Sequence, residues 1–228
     1  MALVRIREHV NPLSRKFQTI VQPPDWQTVY ADPAQPLHLD IGCGRGRFLL
    51  QMAQIQPQWN FLGLEIRQPL VDQANQWKTD RGLTNLFYLF CNVNPSLRSL
   101  LASLPTQNLQ KVTIQFPDPW FKRKHQKRRV VQPQVVNDLA DFLVEGGQVF
   151  LQSDVKEVAE EMRDRFAAHP CFQLTEPDWL SDNPLPVPTE RELSTLGRGE
   201  PVYRARLIKQ SRSSSHTHPT VAIDAKPG

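Results

Sequence analysis

The chain has 228 residues, with 39% apolar and 22% charged residues. This length and composition fit one globular domain with a full core and exclude a chain that is disordered throughout. No apolar run approaches the roughly 20 residues of a membrane-spanning helix, and the N-terminus lacks the apolar stretch of a secretory signal. The 3 cysteines are widely spaced, which excludes a disulfide scaffold and predicts a cytoplasmic protein without a metal site.

Positive charge is concentrated in two segments. The 27 Lys and Arg residues outnumber the 23 Asp and Glu residues by only four, but residues 111–130 hold seven cations and one anion. Residues 1–22 hold four more cations and one anion. Such clustering is typical of a surface that binds a polyanion, whereas a lysine-rich face exposed to solvent is the alternative interpretation.

The apolar pattern predicts alternating strands and helices from residue 37 onward. Strands are predicted over 37–41, 60–65, 86–90, 111–116, 148–152 and 202–209. Helices are predicted over 48–55, 69–81, 96–104, 133–144 and 155–168. Because the strands are apolar on both faces, we expect an α/β fold with a parallel sheet covered by helices.

The remaining segments suggest a division of the chain into three parts. Residues 1–36 are predicted to be a basic N-terminal arm, 37–210 the folded domain, and 211–228 a polar, disordered tail. Inside the domain, five prolines interrupt residues 175–201. We expect this stretch to be mostly irregular, and long irregular segments in compact domains are usually functional or disordered.

A glycine-rich loop follows the first predicted strand. It reads Asp40-Ile41-Gly42-Cys43-Gly44-Arg45-Gly46-Arg47, and its glycines permit a tight turn and the close approach of a ligand to the backbone. A dinucleotide fingerprint would need glycine at position 47, where arginine stands. The acid Asp40 suits a cationic or amine-bearing cofactor, and Glu65 ends the second strand, where an acid can accept hydrogen bonds from a ribose.

This loop resembles motif I of the class I S-adenosylmethionine-dependent methyltransferases. The resemblance implies a Rossmann-like fold, with a mostly parallel twisted sheet and helices on both faces. It also implies S-adenosylmethionine as cofactor, with its methionine part on Gly42, Gly44 and Gly46 and its ribose on Glu65. Asn92 stands where that family places a polar group near the adenine, although a turn-forming asparagine explains the bare sequence equally well.

The fourth strand runs into Phe116-Pro117-Asp118-Pro119-Trp120 and then into the cations of residues 122–129. Ligands of open parallel sheets bind beyond the carboxyl ends of the strands, so we expect Asp118 at the mouth of the cofactor cleft. Its carboxylate could accept hydrogen bonds from guanine, and Trp120 could stack on a base. A proline-rich turn with the tryptophan in the core is the alternative. The adjoining cations favour nucleic acid, because such sites combine stacking groups with phosphate contacts.

Together these residues resemble the signature of the bacterial tRNA (guanine-N(7)-)-methyltransferases. The match comprises the segment 116–120 with Lys122, His125, Lys127-Arg128-Arg129 and Gln132, then Ser153-Asp154, and finally Thr189-Glu190-Arg191-Glu192. It implies methyl transfer to N7 of a guanosine in the variable loop of tRNA, conventionally position 46. The sequence departs from the family at Phe121, which is commonly histidine, at Glu190, commonly lysine, and at Arg191, commonly aromatic.

The resemblance assigns a role to each matching position. Asp118 is the expected catalytic residue and stabilises positive charge on the purine; no strong general base is needed, because N7 carries a free lone pair. The cofactor is expected on Asp40, Gly42, Gly44, Gly46, Glu65, Asn92 and Asp118. The substrate is expected on Lys122, Asp154, Thr189, Glu190, Arg191 and Glu192. Phosphates of the tRNA are expected on Arg5, Arg7, Lys127, Arg128 and Arg129.

Simpler explanations and other protein classes stay open at this point. Asp154 precedes a predicted helix and could be its N-cap, and the spacing of Thr189 and Glu192 alone favours a capping box. A nicotinamide-dependent oxidoreductase, an RNA-binding protein that has lost activity, and an amino-group methylase are the alternative functions. The expected partner is tRNA, without membrane or metal, and the protein is expected to be a monomer or a homodimer.

Overall fold

In a computed structural model, which describes residues 10–105 and 108–211, the chain forms a seven-stranded sheet. The strands are β1 (Leu37–Ile41), β2 (Asn60–Glu65), β3 (Leu86–Phe90), β4 (Leu109–Gln115), β5 (Gln148–Ser153), β6 (Phe172–Leu174) and β7 (Tyr203–Lys209). Their order is β3-β2-β1-β4-β5-β7-β6, and β7 pairs antiparallel with both β5 and β6 while the other neighbouring strands pair in parallel. This order differs from the 3-2-1-4-5-6 sheet of dinucleotide-binding proteins beyond β5, which argues against the oxidoreductase alternative.

The described residues form seven α-helices, of which α1 precedes β1 and the others lie between strands. They are α1 (Trp26–Val29), α2 (Arg47–Ile55), α3 (Gln68–Asp80), α4 (Val93–Ser103), α5 (Pro133–Phe142), α6 (Lys156–Ala167) and α7 (Glu190–Gly197). The predicted α2, α3, α5 and α6 are confirmed to within two residues, while α4 begins three residues earlier than predicted. In the part of the chain that the structure describes, no helix is long and apolar enough to cross a membrane.

The central strands are buried on both faces, as their apolar composition predicts. Every residue of β1 and β2 is buried. One core cluster joins Leu39 and Ile41 of β1 to α4, α5 and α6, and the other joins Phe61 and Tyr88 to α2 and α3. Helices therefore cover both faces, and the sheet holds the loops at its carboxyl edge on a rigid base.

Residues 10–36, the described part of the predicted N-terminal arm, pack against this domain. Trp26 and Tyr30 are each 5% exposed and belong to the core. The Trp26 indole N–H donates to Ser103 Oγ at 2.9 Å, and the Tyr30 hydroxyl donates to the Phe61 carbonyl at 3.1 Å. The sequence did not predict this packing, because scattered aromatic residues between prolines give no periodic signal.

Two parts of the predicted organisation lie outside the described residues. They are residues 1–9, which include Arg5 and Arg7, and the predicted tail apart from Ser211.

The proline-rich stretch 175–201 contains a helix that the sequence analysis missed. Helix α7 is 8 residues long and begins just after Pro188, with Thr189 as its N-cap. The Thr189 hydroxyl accepts a hydrogen bond from the Glu192 N–H at 3.1 Å, so the capping alternative is confirmed for the threonine. Four of the five prolines precede this cap and Pro201 follows the helix, so the prediction of irregular structure is wrong for Glu190–Gly197.

Candidate active site

A cleft opens at the carboxyl ends of the parallel strands, where the loops after β1, β2 and β4 meet. Its inner part has a volume of about 120 Å³ and its outer part about 570 Å³. Both parts are lined by Gly42, Arg67, Phe116, Pro117 and Asp118. A groove of about 710 Å³ beside residues 101–105 and 108–110 belongs to the opposite edge of the sheet. Only the cleft lies where open α/β sheets bind their ligands.

The glycine loop lines the outer part of the cleft. Gly42, Gly44 and Gly46 have φ angles of +80°, +57° and +74°, a left-handed backbone that strains other residues. A Cβ atom added to Gly42 or Gly44 would meet nothing within 4 Å, whereas one on Gly46 would lie 2.5 Å from the Tyr88 ring. The first two glycines therefore leave the loop open towards the cleft, and the third allows the start of α2 to pack closely on β3.

Asp40 lies buried in β1 beneath this loop. Its Oδ1 accepts hydrogen bonds from Thr113 Oγ1 at 2.6 Å and from Gln115 Nε2 at 3.3 Å. Burial raises the pKa of Asp40 to about 6; the two hydrogen bonds oppose this rise and the nearby charge of Glu65 adds to it. The buried carboxylate therefore favours a cationic group placed beside it.

We expect Asp40→Asn to stabilise the ligand-free protein at pH 8 by about 2–3 kcal/mol and to have little effect at pH 4. Because the folded pKa of about 6 exceeds the ordinary 3.8, the wild-type protein loses stability as the pH rises through this range. Asparagine does not titrate and escapes the loss. Urea denaturation at both pH values measures the difference, with the exposed Asp72→Asn as control. Destabilisation by Asp40→Asn at pH 8 would contradict the expectation.

Glu65 ends β2 with both carboxylate oxygens already engaged. Its Oε2 accepts from the Gly44 N–H at 3.0 Å and from Arg67 Nη2 at 3.0 Å. Its Oε1 accepts from the Arg67 backbone N–H at 3.0 Å and from Arg67 Nε at 2.8 Å. Burial lowers the pKa of Arg67, but the bonds and charge of Glu65 and the charge of Asp118 outweigh burial, so the pKa is raised overall. The guanidinium therefore stays charged between the two acids.

Asp118 lies between two residues with unusual backbone conformations. Phe116 has a φ of +49° and Trp120 a φ of +43°, the left-handed region that aromatic residues rarely adopt. Each such residue costs about 1–3 kcal/mol, and this kind of strain is concentrated at functional sites. The Trp120 ring lines the inner part of the cleft, with the Arg128 guanidinium 4.9 Å from its centroid. The alternative that places this tryptophan in the core is therefore wrong.

The basic run forms a 3-10 helix, Arg123–Arg128, beside the cleft. Four of its cations are exposed: Lys122, Arg123, Lys124 and Lys127. The Phe121 ring next to them is 68% exposed and lines the outer part of the cleft. This end of the cleft therefore presents positive charge and one bare aromatic ring to solvent.

Helix α7 lines the outer part of the cleft together with Asp154. Arg191 donates to Asp154 Oδ2 from Nε at 2.8 Å and from Nη2 at 2.5 Å, and Glu190 forms an ion pair with Arg47. Asp154 is not a helix cap, because Val155 occupies the N-cap position of α6. Glu190 and Arg191, which depart from the family pattern, are thus paired with Arg47 and Asp154.

Comparisons with known proteins agree with this geometry. Residues 34–205 match the family described as "Putative methyltransferase". The tRNA (guanine-N(7)-)-methyltransferase of Trichormus variabilis is 64% identical over 206 residues, which cover 90% of this chain and 96% of the relative. That of Synechococcus elongatus is 64% identical over 210 residues, covering 92% and 99%. The chain belongs to the tRNA (guanine-N(7)-)-methyltransferase family.

Solved structures share the fold of this tRNA (guanine-N(7)-)-methyltransferase family member at low sequence identity. Precorrin-6y C5,15-methyltransferase of Geobacter metallireducens has a TM-score of 0.51 and 12% identity, covering 77% of this chain and 80% of the other. An O-methyltransferase of Brevibacillus brevis, solved with S-adenosyl-L-homocysteine, has a TM-score of 0.51 and 16% identity, covering 77% and 67%. The predicted Rossmann-like methyltransferase fold is confirmed.

Three residues that the family signature assigns to ligands are engaged elsewhere. Glu192 is 1% exposed and faces the sheet, where it forms an ion pair with Arg204 at 2.7 Å. Arg129 is 4% exposed; it donates to the Pro119 carbonyl at 2.7 Å and pairs with Glu157 and Glu161 of α6. Burial and ion pairing thus keep both side chains out of the cleft in this structure, and the expected contacts of Glu192 with substrate and of Arg129 with phosphate stay predictions.

Asn92 is the third of these residues, and its amide is bound to the chain itself. Its Nδ2 donates to the carbonyls of Pro12 and Phe17, both at 3.0 Å, and its Oδ1 caps α4 through the Asn94 N–H. The residue still lines the inner part of the cleft, together with Pro12. Asn92 therefore caps α4 and holds residues 12–17 against the inner part, and its expected contact with the adenine stays a prediction.

Two arginines of this family member's cleft were missed by the sequence analysis. Arg67 binds Glu65, and a cation two residues after a strand-ending acid is the signal that could have revealed it. Arg45 lines the outer part, and its Nη1 is buried without a hydrogen-bond partner among the described residues. In the described ranges no three His, Cys, Asp or Glu side chains are placed to hold a metal ion; a reaction without metal stays a prediction.

Proposed function

We propose that this protein transfers the methyl group of S-adenosylmethionine to N7 of guanosine at position 46 in the variable loop of tRNA. One observation carries the proposal: Asp118, fixed between the strained Phe116 and Trp120, shares a cleft with the open glycine loop and Glu65. Relatives that are 64% identical bear the name of this activity. Since tRNA is cytoplasmic, we place the reaction in the cytoplasm, with the protein a monomer or homodimer.

The residues of the cleft fit S-adenosylmethionine. Gly42 and Gly44 leave space above the loop, where side chains would fill it. Asp40 places a buried carboxylate beneath the loop, and Glu65 stands at the β2 end where a ribose is held in folds of this kind. When bound, the cofactor supplies an electrophilic methyl group on a sulfonium.

Asp118 orients the guanine and stabilises the transition state. Its carboxylate accepts hydrogen bonds from N1–H and the exocyclic amine, which turns N7 towards the cofactor. No proton leaves N7 before attack, so catalysis rests on in-line positioning, which contributes up to about 7–11 kcal/mol in favourable model reactions. The negative carboxylate also stabilises the positive charge that develops on the purine. The two flanking prolines limit the motion of its backbone.

The exposed cations of residues 122–127 hold the phosphates of the tRNA, together with Arg128, Arg5 and Arg7. The exposed ring of Phe121 offers a stacking surface to a base that has left its stack in the variable loop. Asp154, Thr189, Glu190 and Arg191 form the substrate side of the outer part. The tRNA thus lies across the outer part, with its guanine directed inward to Asp118.

We expect Lys124→Ala/Lys127→Ala to weaken tRNA binding uniformly across tRNA sequences. Because two phosphate contacts are lost, the slope of log affinity against log salt should become shallower by about 1–2. Filter binding at several KCl concentrations measures the slope. Arg129→Ala is the matched control: it removes one cation of the same run but should lower stability rather than the slope, since this arginine is buried in ion pairs. An unchanged slope in the double variant would contradict the phosphate contacts.

Methyl transfer tests the proposed function. Purified protein is incubated with labelled S-adenosylmethionine and an unmodified tRNA transcript, and the digested nucleosides are then separated. We expect the label in 7-methylguanosine, and none when the variable-loop guanosine is replaced by adenosine. Label in another nucleoside overturns the substrate assignment, and tRNA binding without label favours an RNA-binding protein.

A further inference from the structure

A continuous chain of buried hydrogen bonds runs beneath the cleft, from the glycine loop to helix α7. Gln115 Nε2 donates to Asp40 Oδ1 at 3.3 Å. Gln152 Nε2 then donates to Gln115 Oε1 at 2.8 Å and to Glu192 Oε2 at 3.3 Å. Two glutamine amides therefore link the carboxylate under the loop to the carboxylate of α7.

The strand register brings the two glutamines together. Gln115 and Gln152 are direct partners in the parallel pairing of β4 with β5, and they are 9% and 0% exposed. Strands buried on both faces are usually apolar, and a buried amide is unfavourable unless its hydrogen bonds are made. A pair of glutamines at the centre of such a sheet therefore calls for a role beyond packing.

The carboxylates at the two ends fix the direction of both amides. Reversing either amide would turn its carbonyl oxygen towards a carboxylate or another carbonyl. The present orientation leaves Gln152 Oε1 buried without a hydrogen-bond partner among the described residues. An unsatisfied buried acceptor destabilises the fold, so stability alone does not account for the pair.

Each end of the chain belongs to a different side of the cleft. Asp40 lies beneath the glycine loop, and it is also held by Thr113 at 2.6 Å. Glu192 is held by Arg204 and Asn183, each at 2.7 Å, and it lies in the first turn of the helix whose cap, Thr189, lines the outer part. A shift of either carboxylate must therefore be accommodated by the two amides between them.

We propose that Gln115 and Gln152 are positioning residues that couple occupancy of the glycine loop to the placement of α7, and so to tRNA binding. This inference rests on the proposed function. A ligand that fixes Asp40 fixes the Gln115 amide, which in turn fixes Gln152 and the acid of α7. Linkage requires the effect to be reciprocal: tRNA strengthens cofactor binding by the same factor by which the cofactor strengthens tRNA binding.

Binding measurements on the full chain test this coupling. The affinity for S-adenosylhomocysteine is measured by calorimetry with and without an unmodified tRNA transcript. In the wild type we expect tRNA to strengthen binding by about 5–150-fold, the usual range of such couplings. In Gln152→Met, which keeps the side-chain length and removes the amide, the factor should fall towards one. Gln115→Met should lower this factor in the same way, and the double variant Gln115→Met/Gln152→Met should lower it no further. Gln134→Met, on the exposed side of α5, is the matched control and should keep the wild-type factor.

A purely structural role predicts a different pattern. It would lower the melting temperature, or weaken the binding of S-adenosylhomocysteine equally with and without tRNA. The factor by which tRNA strengthens that binding would then stay unchanged. A wild-type factor in Gln152→Met overturns the inference, as does independent binding of the two ligands by a wild type that forms 7-methylguanosine. A wild type that does not bind tRNA overturns the inference and the proposed function together. The readouts are distinct, because coupling is measured by affinities and the proposed function by the methylated nucleoside.

Discussion

Asp118→Ala is expected to lower the rate of methyl transfer to tRNA by about 10²–10³-fold, the usual loss when one preorganised electrostatic group is removed from an active site. In the proposed mechanism the carboxylate makes two contributions that alanine cannot replace: it orients the guanine and balances the developing positive charge. Asp118→Asn keeps one acceptor oxygen without the charge and should lose less. Single-turnover assays measure the chemical step, separately from binding.

The control for this variant is Asp182→Ala, an exposed acid away from the cleft. It should retain the wild-type rate. Thermal denaturation of Asp118→Ala should show no marked loss of stability, since the side chain is only half-buried. A rate within a few-fold of the wild type would show that another group orients the base, and the catalytic assignment would then be abandoned.

Glu192→Ala should lower the free energy of unfolding by about 3–5 kcal/mol, as expected when one partner of a buried ion pair is removed. Arg204, whose side chain is 5% exposed, would be left charged without its carboxylate. The Asn183 amide would lose its carboxylate acceptor as well, and the Gln152 amide would lose one of its two acceptors. Urea denaturation at pH 7 measures the loss.

A double variant separates the ion pair from the rest of the helix. Glu192→Leu/Arg204→Met replaces both charges with apolar groups and should recover much of the stability, because such replacements are often neutral or favourable. If Glu192→Ala costs under about 1 kcal/mol and instead weakens tRNA binding, the glutamate contacts substrate, as its position in the family signature suggests.

The sequence predicts the sheet and the cleft well because their signals are local. Apolar residues predominate in strands β1 and β2, so the burial of these strands is predicted by composition, whereas the burial of the polar His38, Asp40, Asn60 and Glu65 within them is not. The glycine loop and the segment 116–120 each follow a strand, and the carboxyl ends of parallel strands meet at one edge. Their placement in one cleft therefore follows from the order of the elements.

The direction in which a polar side chain points depends on partners far along the chain. Arg128 and Arg129 are adjacent in a run of cations, yet only Arg129 is buried, because Glu157 and Glu161 lie one helical turn apart on α6 and receive its guanidinium. The spacing of Thr189 and Glu192 predicts the cap but not the ion pair, which depends on Arg204 in β7. Neighbouring residues of one type carry no signal that separates these outcomes.

The hydrogen bonds that Glu65 already accepts affect how a ligand binds in the cleft. A carboxylate has about four acceptor positions, and here the Gly44 and Arg67 donors take all four. A ribose that binds Glu65 must displace some of these donors, so cofactor affinity depends on the difference between the hydrogen bonds gained and those lost. Arg67→Lys would shorten the competing side chain and change this difference without altering Glu65 itself. The displaced guanidinium would lose the carboxylate of Glu65 as its partner and would keep the nearby charge of Asp118.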